Sequence, residues 1–129
     1  MPSDVTVDTG EAPITGAVVE RVATGVDPDS TDIVDALLAV NAELLGRHGQ
    51  FERAADYVTV DGTRAYRIER AMWDDLIDDF DFDQSLAAAV RLTHTEQARN
   101  LFTTTVGADD RFATNEVGVV VGIDTAEQF

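Results

Sequence analysis

Two side chains of this chain are imidazoles, His48 and His94, the type best suited to carry protons near neutral pH, and all nine of its Lys/Arg-type cations are arginines. His94 stands in Leu92-Thr93-His94-Thr95-Glu96-Gln97-Ala98. An imidazole with a carboxylate in reach is the pattern of a general acid or base, so His94 is a candidate proton carrier in a small enzyme. The competing reading is a hydrogen-bonded histidine at the edge of an apolar helix face. Nothing accompanies it as a nucleophile. There is no cysteine, the serines are Ser3, Ser30 and Ser85, and no G-x-S-x-G, H-E-x-x-H or Gly-rich phosphate loop occurs. No catalytic residue is assigned and no cofactor is expected.

The run from Asp74 to Asp83 holds six aspartates. Asp79, Asp81 and Asp83 match the first ligands of a calcium loop, but Gln84 stands where that loop needs glycine and Val90 where it needs a bidentate glutamate. The expectation is therefore a solvated helix face followed by a cap at Asp83, with no metal site.

The arginines are unevenly spread. Residues 47–70 carry Arg47, Arg53, Arg64, Arg67 and Arg70 against Glu52, Asp56, Asp61 and Glu69, a net +1, so the remainder totals −17 within a chain of net charge −16. Tyr57 and Tyr66 lie among these arginines. Guanidinium groups bind carboxylate or phosphate in two-point fashion and stack on aromatic rings. These seven residues are the candidate binding set, for an acidic partner protein or a nucleic acid. The alternative is that each arginine satisfies a nearby aspartate or glutamate.

At 129 residues, 44% of them hydrophobic, the chain is long enough for one folded domain. No apolar run reaches the length of a membrane span, and residues 1–12 are polar and acidic, unlike a secretory signal. A cytoplasmic location is expected. Seventeen aspartates, eight glutamates and no lysine resemble the composition of proteins from extremely halophilic archaea. That resemblance implies a cytosol of concentrated salt, where the Debye length is about 3 Å or less and a carboxylate-rich surface keeps a protein dispersed. It extends to no characterised family. The Leu92-Thr93-x-x-Glu96 stretch resembles the opening of a helix in helix-turn-helix regulators, which implies a winged-helix DNA-binding protein as an alternative function.

These residues need elements to hold them. Tyr57-Val58-Thr59-Val60-Asp61-Gly62-Thr63-Arg64-Ala65-Tyr66-Arg67-Ile68 reads as a β-hairpin on a two-residue type I′ turn, pairing Val60 with Thr63, Val58 with Ala65 and Tyr57 with Tyr66. Before it, Pro13 starts a helix with Ile14, Val18, Val19 and Val22 inward and Gly25 just past its end. Ser30 caps a second helix whose stripe is Ile33, Leu37, Val40 and Leu44, ending at Gly46 and Gly49. Asn41 falls within that apolar face, either as a satisfied core residue or as a register-setting residue in a homodimer seam along helix 30–45. After the hairpin, Arg70–Phe80 is amphipathic, with Trp73, Leu76 and Ile77 opposite the aspartates. Gln84 to about Thr103 follows, broken into two if Thr93 to Glu96 acts as a capping box. Thr103 to Asn115 reads as a loop. Val117-Gly118-Val119-Val120-Val121-Gly122-Ile123 reads as an interior strand that joins the hairpin.

The expected architecture is α+β: about four helices on a small antiparallel sheet of hairpin 57–68 and strand 117–123. Residues 1–12 form a flexible or edge-strand N-terminus to a single domain, 13–129. The expected function is a non-enzymatic binding or regulatory module that uses the arginine-bearing hairpin.

Overall fold

The structure, a computed structural model, describes residues 13–60, 62–106 and 115–122. Expectations for residues 1–12, Asp61 and Ile123 fall outside that set. The described chain runs α1 (Gly16–Ala23), α2 (Ser30–Ala54), β1 (Asp56–Val60), β2 (Thr63–Glu69), α3 (Arg70–Ile77), α4 (Gln84–Val106) and β3 (Glu116–Gly122). The fold is α+β with a three-stranded antiparallel sheet in the order β1-β2-β3.

The hairpin has the register its turn demands: Val60 faces Thr63, Val58 faces Ala65 and Tyr57 faces Tyr66. Gly62 carries φ 79°, the left-handed conformation that a type I′ turn requires and that glycine adopts without strain. In such a hairpin the pair next to the turn exchanges both backbone bonds, and alternate pairs follow. Tyr57 and Thr59 consequently turn their N–H and C=O groups outward from the sheet, and Gly118 and Val120 do so on the far side of β3.

Several helix ends differ from expectation, each for a local reason. α1 starts after Thr15, later than Pro13, because Gln97 holds the Thr15 amide. Asp29, not Ser30, caps α2, accepting the Asp32 amide at 2.9 Å. α2 does not stop at Gly46 but runs through Gly49 to Ala54. A helical glycine costs about 1 kcal/mol relative to alanine. Continuing the helix buries Phe51, 1% exposed and worth about 1.5–3 kcal/mol, and closes an Arg47–Glu43 pair at 2.6 Å. α3 ends at Ile77, where Asp78 and Asp79 place negative charge at the negative end of the helix dipole.

α4 is one helix, not two. Thr93 caps nothing; its hydroxyl donates to the Ala89 carbonyl at 2.7 Å and the residue is fully buried. The helix also continues through the start of the expected loop, because Ala98 and Phe102 extend its buried stripe. Asp83 caps it as expected, accepting the Leu86 amide at 2.8 Å.

β3 lies at the edge of the sheet, not in its interior, yet Val117 through Val121 are all buried. Helices cover both faces. Tyr66 meets Phe51 of α2 on one face, with ring centroids 5.6 Å apart, and Arg67 lies over Phe102 of α4 on the other. One cluster of buried apolar side chains links the sheet with α1, α2, α3 and α4.

Candidate functional site

The expected binding residues do not share one surface. Successive strand residues point to opposite faces. Arg64 therefore lies with Tyr57 and Tyr66 on the α2 side of the sheet, and Arg67 lies on the α4 side. Arg64 donates to Glu52 at 2.5 Å and to Thr59 Oγ1 at 3.1 Å, and its guanidinium sits 4.2 Å from the Tyr57 ring centroid. The Tyr57 and Tyr66 rings meet edge to face at 5.6 Å. Partial burial of Arg64 by itself lowers its pKa, but hydrogen bonds to Tyr66 and Glu52 outweigh that and raise it. Burial raises the Tyr66 phenol, and Arg64 opposes the shift.

Arg67 pairs with Asp56 at 3.1 Å and lies 3.8 Å from Glu116. Arg47 bridges Glu43 and Asp79, the latter at 2.8 Å, and Arg70 pairs with Asp74 at 3.2 Å. Arg53 is exposed in the last turn of α2. The structure thus brings Arg64, Tyr57 and Tyr66 together beside β1, an outer strand of the sheet, and does not gather the other four there.

His94 is buried, and its Nδ1 accepts the outward amide of Val120 at 3.2 Å. That bond places the neutral ring's proton on Nε2. Among the described residues Nε2 has no hydrogen-bond partner, and the ring packs beside Trp73 with centroids 5.9 Å apart. Burial lowers the His94 pKa to about 3. Thr95 Oγ1 accepts the next outward amide of β3, Gly118, at 3.2 Å. Gln97 Oε1 accepts the Thr15 amide at 3.1 Å, and Glu96 takes Arg21 at 2.6 Å. The stretch that resembles a helix opening is a helix interior whose polar side chains tie α4 to β3 and α1. His94 and Gln97 hold separate backbone groups and do not converge on a shared opening.

Asn41 is 5% exposed, and its Oδ1 has no hydrogen-bond partner among the described residues. Of the Asp74–Asp83 run, Asp79 pairs with Arg47 and Asp83 caps α4. Among the described residues no three histidine or acidic side chains are placed to hold a metal ion. A cavity of about 560 Å³ between the starts of α2 and α4 is lined by Asp27, Asp32, Asp35 and Asp83 around Phe82 and Leu86.

Sequence reasoning missed Arg91. It lines a cavity of about 290 Å³ between α3 and α4, opposite Arg70. The signal was present: Gln84, Ala87, Ala88 and Arg91 share one helical face, where small residues leave room beside a long cation.

An α+β fold with a helix sealing one sheet edge, and nothing among the described residues pairing with the other, is the class that these features define. The chain belongs to the family described as Domain of unknown function (DUF8048), whose model matches residues 12–123. No curated protein and no solved structure matches it.

Proposed function

We propose that this is a non-enzymatic binding module that takes an extended, acidic protein segment onto the open edge of β1. The observation that carries the reading is the asymmetry of the sheet. At β3, His94 and Thr95 accept the outward amides of Val120 and Gly118. At β1, the outward groups of Tyr57 and Thr59 have no such partner among the described residues. Unpaired strand edges template the pairing of another chain, and folds commonly block edges that are not used. The open edge is also flanked by Tyr57, 42% exposed, with Arg64 stacked on it. Arg64 places a cation beside this edge, which favours an acidic segment. In a salt-rich cytoplasm, which the composition supports, contacts of this short range keep their strength after long-range steering is screened.

The test uses linear peptides selected against the folded protein in molar KCl. Bound peptide should slow amide exchange at Tyr57 and Thr59. Thr59→Pro removes an outward N–H without breaking the hairpin ladder and should abolish capture; Arg64→Gln should weaken it. Capture by Thr59→Pro equal to wild type, or unchanged exchange at Tyr57 and Thr59 in the complex, would overturn the reading.

A further inference from the structure

The cavity between α3 and α4 is separate from the hairpin edge. Arg70 lines it from the first turn of α3, and Arg91 from the third turn of α4. In a chain with 25 acidic side chains and nine arginines, a guanidinium has abundant carboxylates to pair with. Arg70 uses one, Asp74 at 3.2 Å. Arg91 makes no ion pair with a described residue. Its surroundings act against its charge: burial lowers its pKa first, the Arg70 guanidinium lowers it further, and Asp74 only partly compensates. Two like charges that line one cavity repel each other.

The rest of the lining is equally specific. Trp73 and Ile77 supply an apolar wall, and Ala87 and Ala88 leave space in front of it. Gln84, in the first turn of α4, adds an amide donor next to the positive end of a 23-residue helix. Two cations, the Asp74 carboxylate already paired with one of them, the Gln84 amide and an aromatic wall line a cavity with room for a charged oxygen group and the small body attached to it.

We infer that the α3–α4 cavity is a binding site for a small phosphorylated ligand, its phosphoryl oxygens held between Arg70 and Arg91 with Gln84 as a further donor. A phosphoryl group fits better than a lone carboxylate. Its several oxygens accept from both guanidinium forks at once, and its double charge offsets the two cations. Arg70 keeps its Nε on Asp74 and presents its terminal nitrogens, so binding need not break the existing pair. The chain's net charge of −16 repels such a ligand at long range, a barrier that salt removes while leaving the contacts within the cavity.

Trp73 is the single tryptophan of the chain, so its fluorescence reports on this cavity directly. The experiment titrates the full-length protein with inorganic phosphate and, separately, with phenyl phosphate, in KCl at constant ionic strength. A saturable change in Trp73 emission is expected. Arg91→Gln should weaken binding by about tenfold or more, the usual loss for a hydrogen bond to a charged group. Arg91→Lys should recover part of it. Arg99→Gln, at an exposed position on the same helix, should bind as wild type. Tighter binding of phenyl phosphate than of phosphate identifies an organic phosphate as the ligand class; equal binding identifies the free anion. Absence of saturable change with either probe would overturn the inference. So would equal affinity in wild type and a folded Arg91→Gln variant.

Discussion

At the scale of single residues, the polar side chains in the middle of α4 act chiefly as acceptors for backbone amides elsewhere in the fold. His94 is the clearest case, since the Val120 amide requires its Nδ1 to be unprotonated. The folded pKa is lowered to about 3, while an unfolded histidine titrates near about 6.5. Between those values the unfolded chain binds the extra proton, so stability rises with pH through that window and is lost as pH falls through it. The slope is at most about 1.4 kcal/mol per pH unit. His94→Asn keeps an acceptor near Nδ1 and removes the titration. Urea unfolding of both proteins from about pH 7 to about pH 5, stopping above the carboxylate range, should show a pH-dependent difference that is absent above pH 7. An identical pH slope in the variant would mean that His94 is not buried as the neutral ring.

At the scale of elements, α2 shows how tertiary burial overrides local punctuation. Gly46 and Gly49 read as stops, yet the helix passes through both to bring Phe51 against Tyr66. A Cβ at position 46 would meet nothing within 4 Å, so alanine fits there without repacking. Gly46→Ala should therefore stabilise the protein by about 0.4–1 kcal/mol, chiefly by restricting the unfolded chain. Chemical denaturation measures this, and a destabilised variant would contradict a continuous helix at Gly46. α4 teaches the same lesson from the other side. Thr93, His94 and Gln97 look like a helix start by residue type, but Thr93 bonds back to Ala89 within α4, and β3 and α1 supply the partners of His94 and Gln97 in mid-helix. The hairpin, by contrast, was legible to the residue, because a two-residue turn at Asp61-Gly62 leaves only one register.

At the scale of the whole molecule, charge repulsion opposes folding more than ion pairs support it. Exposed pairs such as Arg21–Glu96 contribute about 0.2–1 kcal/mol each, and salt weakens them. Acidic side chains outnumber arginines 25 to nine, which leaves a net charge of −16 to repel itself. Salt that screens this repulsion should raise the melting temperature steeply from dilute buffer to about 1 M, where the Debye length reaches about 3 Å, and less beyond. Calorimetry across a KCl series checks this; a flat or falling melting temperature would show that the ion pairs dominate.

Composition, turn chemistry and hydrophobic period determined the α+β class, the hairpin register, the amphipathic α3 and the cap at Asp83, because each depends on residues within a few positions of one another. Only the tertiary structure decided which side of the sheet each arginine occupies, which strand edge is sealed, and that Arg70 and Arg91 meet. Those outcomes depend on how α4 crosses the sheet and packs on α3. No local pattern in 47–70 contains that information, since the partners of Arg64, Arg67 and Arg70 are chosen by strand alternation and by helices placed from elsewhere in the chain.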